Sequence, residues 1–157
     1  MQPTVEKAFN AQIRDELDSA YLYLSMSAHF AAANLPGFAR WMRLQAQEEL
    51  GHAMRLYDHV IERGGRIVLH AIPKPQAEFG TPLSIFEAAL EHEKHITSLI
   101  EKLYETAVAK KDYPAQLALQ WFIEEQVEEE RTMAAVLDLI DSGINLFQAE
   151  PLLDQFE

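Results

Sequence analysis

Cysteine is absent from this chain, which excludes a disulfide framework and any metal site built on thiolates. Positive charge is scarce as well. Thirteen Lys and Arg stand against 25 Asp and Glu, a net charge of −12, and the one adjacent basic pair is Lys110 and Lys111. With no basic stripe to neutralise phosphates, nucleic acid is excluded as a partner, whereas a surface of this sign draws cations. Long apolar runs are missing too. The most apolar stretch, residues 20–33, is too short and too periodic to span a bilayer, and the opening MQPTVEKAFNAQIRDELD holds no signal-like apolar run. These absences lead to the expectation of a cytoplasmic protein with no membrane partner. At 157 residues, one domain over 1–157 is expected, long enough to bury roughly two-thirds of the surface its unfolded chain exposes.

What the chain does contain is helical periodicity. Apolar residues recur at alternating steps of four and three in four stretches. The first stripe runs Phe9, Ile13, Glu16, Ala20, Tyr23, Ser27, Phe30, and the second Phe38, Met42, Gln45, Glu49, His52, Leu56. The third runs Phe86, Leu90, Glu93, Thr97, Ile100, Tyr104, and the fourth Phe122, Gln126, Glu129, Met133, Val136, Ile140. Punctuation predicts helices near 4–33, 36–63, 82–110 and 113–142. The turn Asn34-Leu35-Pro36-Gly37 and the pair Gly64-Gly65 bracket the second, Thr81-Pro82 opens the third, and Asp112-Tyr113-Pro114 opens the fourth. A short first turn makes the first two helices antiparallel neighbours. The stretch 66–80 holds Pro73, Pro75 and Gly80 among Ile67, Val68, Leu69 and Ile72, and reads as a packed crossover long enough to travel a helix length. Residues 146–156, interrupted by Pro151, predict a brief fifth helix. The expected fold is therefore all-α, two helical hairpins joined by one long crossover.

Each of the four stripes carries one glutamate within about a turn of its helix midpoint: Glu16, Glu49, Glu93 and Glu129. Burying one unpaired carboxylate costs several kcal/mol, and nearby stripe positions supply no Lys or Arg. A bound pair of cations is the simplest compensation, and it would keep the carboxylates ionised. A lone glutamate is most often on a solvated face; four at one level of four seams are not readily a coincidence. The chain also repeats weakly, with Glu16 to Glu49 and Glu93 to Gln126 both spanning 33 residues. The repeat is broken in its ligands, because Glu49-x-x-His52 in the first half is matched by Gln126-x-x-Glu129 in the second.

The segments RDELDSAYLY, QAQEELGHAMRLYDH, EHEKHI, KKDYP and LQWFIEEQVEEE resemble those of bacterial non-haem ferritins, over nearly the whole chain. The resemblance implies a ferritin-like four-helix bundle and a hollow 24-subunit shell. Such a shell oxidises Fe(II) with O₂ or hydrogen peroxide at an intrasubunit di-iron ferroxidase centre and stores Fe(III) mineral. Carried over by position, it makes Glu16, Glu49 and His52 the first iron site, and Glu49 bridges to a second held by Glu93 and Glu129 with Gln126 beside it. A third site corresponds to Glu48, Glu125, Glu128 and shared Glu129. Tyr23 matches the tyrosine beside the centre and Trp121 the nearby tryptophan. The chemistry suits these residue types, since carboxylates shift between terminal and bridging modes and stabilise Fe(III), while one neutral imidazole tunes a single metal.

Related readings fit less well. Bacterioferritin-like and rubrerythrin-like proteins carry a second Glu-x-x-His, absent here, and the haem-ligating methionine position is Leu50, so haem is not expected. His92-Glu93-Lys94-His95 lacks the histidine a zinc-protease helix needs, since position 96 is Ile96. His29, His59, His70, His92 and His95 read as surface or interface residues, and the apolar residues Leu22, Trp41, Leu44 and Tyr57 as core or subunit contacts. The residues 115–120 lack the carboxylates that line threefold pores in many ferritins, and Gly51 and Met54 offer none for mineral nucleation. A monomeric di-iron oxidase would need a substrate pocket beside the metals, and a purely structural acidic bundle would tolerate loss of the seam glutamates.

Overall fold

Four long helices, α1 (Pro3–Ala32), α2 (Pro36–Glu62), α3 (Pro82–Ala109) and α4 (Tyr113–Asp141), are followed by a single turn α5 (Leu146–Ala149) and a 3₁₀ segment (Glu150–Phe156). This computed structural model describes residues 1–156, and among them there is no strand and no helix long and apolar enough to cross a membrane. Every long helix carries proline in its first two positions, where the missing N–H has no intrahelical partner to lose. Thr81 and Asp112 cap α3 and α4 by accepting from Ser84 N and Ala115 N. Three helices stop alike. Asn34, Gly64 and Lys111 take the left-handed conformation, and the next residue's N–H reaches back to Phe30, Val60 or Ala107.

Helix α1 packs on α2, α3 on α4, and α1 on α3. The crossover then travels the length of α1. Near one end Glu6 accepts from Arg66 N, and Asn10 bonds both Arg66 O and Val68 N; near the other, Ser25 donates to Gln76 O and His29 meets Gly80 O. From Glu6 to His29 the helix rises roughly 35 Å. The chain therefore leaves α2 at one end of the bundle and enters α3 at the other, so α2 and α3 run parallel. Side chains of α1 fix this course more than apolar burial does. Of the apolar residues expected to pack the crossover, Ile67 lies against the core whereas Val68, Leu69 and Ile72 remain exposed.

The core divides into two apolar clusters. One holds Tyr23, Met26, Phe30, Phe38, Trp41, Met42, Phe86, Met133 and Val136. The other holds Phe9, Ile13, Leu56, Ile96, Ile100, Leu119 and Phe122. On every helix buried polar residues lie between the two clusters: Glu16 and Ser19 on α1, Glu49 and His52 on α2, Glu93 on α3, Gln126 and Glu129 on α4. A polar layer thus crosses the waist of the bundle. Of the two readings open for Trp41, the structure selects core: it is fully buried against Phe86, with ring centroids 5.6 Å apart, because α2 buries a stripe wider than one seam. The fifth helix tightens to 3₁₀ geometry from Glu150, one residue ahead of Pro151.

Candidate metal centre

The glutamates at the waist are deeply buried, with relative exposures of 1% for Glu16, 2% for Glu49, 0% for Glu93 and 6% for Glu129. Ligand atoms of Glu16, Glu49 and His52 all lie within 4.8 Å of one another, as do those of His52, Glu125 and Glu129. The imidazole of His52 links the two groups. Its Nδ1 stands 3.3 Å from Glu49 Oε2 and its Nε2 3.9 Å from Glu125 Oε1. The step of three residues from Glu49 places both side chains on one helix face. The His52 ring is held edge-on by Trp121 and Phe122 at 5.4 and 6.1 Å, and the guanidinium of Arg55 covers the Trp121 face at 3.9 Å.

Glu93 is held differently. The Tyr23 hydroxyl donates to its Oε1, and Gln126 Nε2 donates to Oε2 at 3.2 Å and to the Glu93 carbonyl at 3.3 Å. Gln126 therefore acts as a donor to a carboxylate, and Tyr23 as a proton-bearing neighbour of the same group. Glu16 accepts from Gln12 Nε2 at 2.9 Å through Oε1, while its Oε2 is buried without a partner. An orphaned carboxylate oxygen beside other metal-ligating atoms is a donor set that fits a cation.

Electrostatics agree. Burial, reinforced by neighbouring carboxylates, pushes Glu16 and Glu49 well above the usual carboxylate range. Burial also raises Glu93, against the opposing hydrogen bonds from Tyr23 and Gln126. Glu129 is pushed up to about 9, first by burial and then by Glu93, Glu48 and Glu125. The Tyr23 phenol is likewise raised, by burial and by the charge of Glu93. Burial thus works against four ionised carboxylates at the waist, and a bound cation would work in the opposite direction.

The remaining sequence-selected residues gather at the margin. Glu48, Glu125, Glu128 and Glu129 line one small cavity of about 50 Å³ together with Gln45, Thr132 and Phe156. Gln45 Nε2 donates to Glu48 Oε2 at 2.7 Å, and the exposed Glu128 stands 3.8 Å from Arg131. On the other side of His52 an open groove of about 670 Å³ is lined by Glu48, Arg55, Asp58, Glu62 and Trp121.

Several supporting residues were not singled out in the sequence. Gln12 sits one helical turn from Glu16, a spacing that would have identified it. Thr97 donates to Glu130 at 2.6 Å and accepts from Gln126, tying α3 to α4. His92, expected at the surface or an interface, is largely buried between α1 and α3 with Nε2 2.7 Å from Ser19 Oγ, and burial lowers its pKa to about 4, so the ring is neutral.

The Ferritin-like domain family matches residues 6–142. A bacterial non-heme ferritin of Bacteroides fragilis is 43% identical over 144 residues, covering 89% of this chain and 91% of the relative. One from Staphylococcus haemolyticus is 36% identical over 135 residues, covering 86% and 81%. Among solved structures, the open pore ferritin of the hyperthermophilic archaeon Archaeoglobus fulgidus superposes with a TM-score of 0.92 at 42% identity, covering 99% of this chain and 94% of that one. An engineered closed form of the same ferritin gives 0.93 at 41%, covering 98% and 96%.

Proposed function

This chain belongs to the ferritin family of iron-storage proteins, and from that premise we propose that it acts as one ferritin-like domain oxidising Fe(II) at a di-iron centre in the bundle waist. The observation that carries the reading is the buried waist itself: four carboxylates and one imidazole on four helices, with no basic side chain among them and one carboxylate oxygen orphaned. Glu16, Glu49 and His52 hold one Fe(II), and Glu49 is shared with a second held by Glu93 and Glu129. Gln126 and Tyr23 orient Glu93 by donating to it. Iron is the substrate. As each Fe(II) gives up an electron to O₂ or hydrogen peroxide, the anionic ligands stabilise the added charge, so oxidation is favoured by the same groups that bind. Glu48, Glu125, Glu128 and Glu129 form a third cation site at the margin, where product iron passes toward storage. The likeness to bacterial non-heme ferritins and the absence of a second Glu-x-x-His motif support this reading over that of a haem-bearing relative.

Storage requires a container, and the surface supports one. Exposed Tyr21, Leu24, Leu50 and Ile72 surround an apolar groove on α1 and α2, while Tyr113, Leu117 and Val127 stand out on α4 and Phe147 on α5. Apolar residues on several faces call for more than one neighbouring copy. Twenty-four copies of a 17.9 kDa chain make a shell of about 430 kDa with a formal charge of roughly −288 before metal binds. Light scattering after size exclusion, followed by aerobic Fe(II) loading, tests both parts at once. The expected result is one large species that takes up many irons per subunit; a monomer or dimer at micromolar concentration contradicts the shell, and uptake of no stoichiometric iron contradicts the centre.

A further inference from the structure

The small cavity at the margin of the waist has one wall that comes from outside α2 and α4. Six of its seven lining residues are polar and belong to those two helices: Gln45, Glu48, Glu125, Glu128, Glu129 and Thr132. The seventh is Phe156, carried on the 3₁₀ segment. Glu129, which lines this cavity, is 6% exposed and accepts no hydrogen bond from any described residue, and its ligand atom lies within 4.8 Å of those of His52 and Glu125. A volume of about 50 Å³ admits a cation with only part of its hydration shell, since each water needs about 10–15 Å³ of such space.

The segment that brings Phe156 here is pinned. Leu153 is 1% exposed in the apolar cluster, Arg40 pairs with Asp154, and Gly37 N donates to Glu150 Oε1 at 2.8 Å. The approach at Gly37 tolerates no side chain, because a Cβ there would come within 2.6 Å of the Glu150 Cβ. Three anchors on α2 and the core therefore fix the ring over a pocket of carboxylates. An apolar ring in that position excludes water from one side of the cavity, and a cation leaving it must regain hydration past the ring.

We propose that Phe156 is a retaining wall for the third cation site, a positioning residue that slows exchange of iron between the marginal carboxylates and solvent. The inference rests on the reading of Glu48, Glu125, Glu128 and Glu129 as a cation site. It assigns the residence time of iron there to a side chain that offers no ligand atom.

The test uses the assembled protein loaded with Fe(II) under argon, with calorimetry for stoichiometry and stopped-flow capture by a colorimetric Fe(II) chelator for release. Wild type should bind three Fe(II) per subunit and release one in a phase that Glu128→Gln removes. In Phe156→Ala that phase should become about tenfold faster while the other two irons leave at unchanged rates. Phe156→Leu, which keeps the apolar bulk, should stay within about twofold of wild type. Three bound irons with an unchanged release phase in Phe156→Ala overturn the wall and leave the third site standing. Only two bound irons in wild type overturn the third site and the wall together. Release in Phe156→Leu as fast as in Phe156→Ala assigns the effect to a loosened segment and also overturns the proposal.

Discussion

Replacing Glu49 by alanine is expected to abolish rapid Fe(II) oxidation, whereas Glu128→Ala should leave the first fast phase intact and alter only later turnover. Glu49 is 2% exposed, lies within ligand distance of the Glu16 and His52 donors, and is raised in pKa by burial and then by the proximity of Glu93 and Glu129. Its position on α2 faces carboxylates of both halves of the waist. Loss of a residue that merely orients a metal ligand typically costs 10–100-fold, so removing a ligand shared by two irons should slow the fast phase by at least ~10²-fold. Glu128 is exposed and sits beside Arg131, outside the waist. Stopped-flow absorbance on both variants separates the two roles. A fast phase of wild-type amplitude and rate in Glu49→Ala would remove that residue from the bridging position.

The second large effect concerns the protein stripped of metal. Glu129 has its folded-state pKa raised to about 9, chiefly by burial and then by Glu93. An unfolded glutamate titrates near pH 4.3. For a pKa raised in the folded state, the stability contribution is complete below the unfolded value and is lost as pH rises toward the folded one. Between about pH 4.3 and 9 the metal-free bundle must therefore hold a proton that the unfolded chain has released. At pH 7 the penalty is on the order of 4 kcal/mol. Glu129→Gln, close in shape and unable to ionise, should remove it. The metal-free variant is expected to melt about 10 °C above metal-free wild type at pH 7, with the gap widening toward pH 8.5 and closing toward pH 5. Added Fe(II) should reverse the order, because wild type gains binding free energy that the variant lacks. Scanning calorimetry across that pH range checks the sign. A gap that does not change with pH would show that Glu129 carries no such penalty.

Much of this arrangement is legible in the sequence because seam spacing and helix punctuation are local. Glu16, Glu49, Glu93 and Glu129 fall between apolar residues at steps of three and four, and Pro3, Pro36, Pro82 and Pro114 mark the helix starts to within a residue or two. What is not legible depends on rotation and on docking. A strict alternation of four and three averages 3.5 residues per turn, and a straight helix drifts from it by about 20° per heptad. By the far end of α1 the drift has turned Met26 into the core and left Ser27 half-buried with its hydroxyl on Ala39 O. The same geometry hides which polar residues meet across helices. Nothing local pairs Ser19 with His92 or Thr97 with Glu130, since each contact is set by the stagger of two helices far apart in the chain. The ring of Phe156 over the marginal carboxylates is the extreme case, fixed by a 3₁₀ segment whose anchors lie on residues 37 and 40.

The most direct measurement is anomalous diffraction at the iron edge on crystals loaded with Fe(II) under argon. Two peaks per subunit are expected in the waist, one among Glu16, Glu49 and His52 and the other among Glu49, Glu93 and Glu129, with Glu49 touching both. Iron confined to surface carboxylates, with the waist empty in crystals of the folded protein, would contradict the di-iron centre.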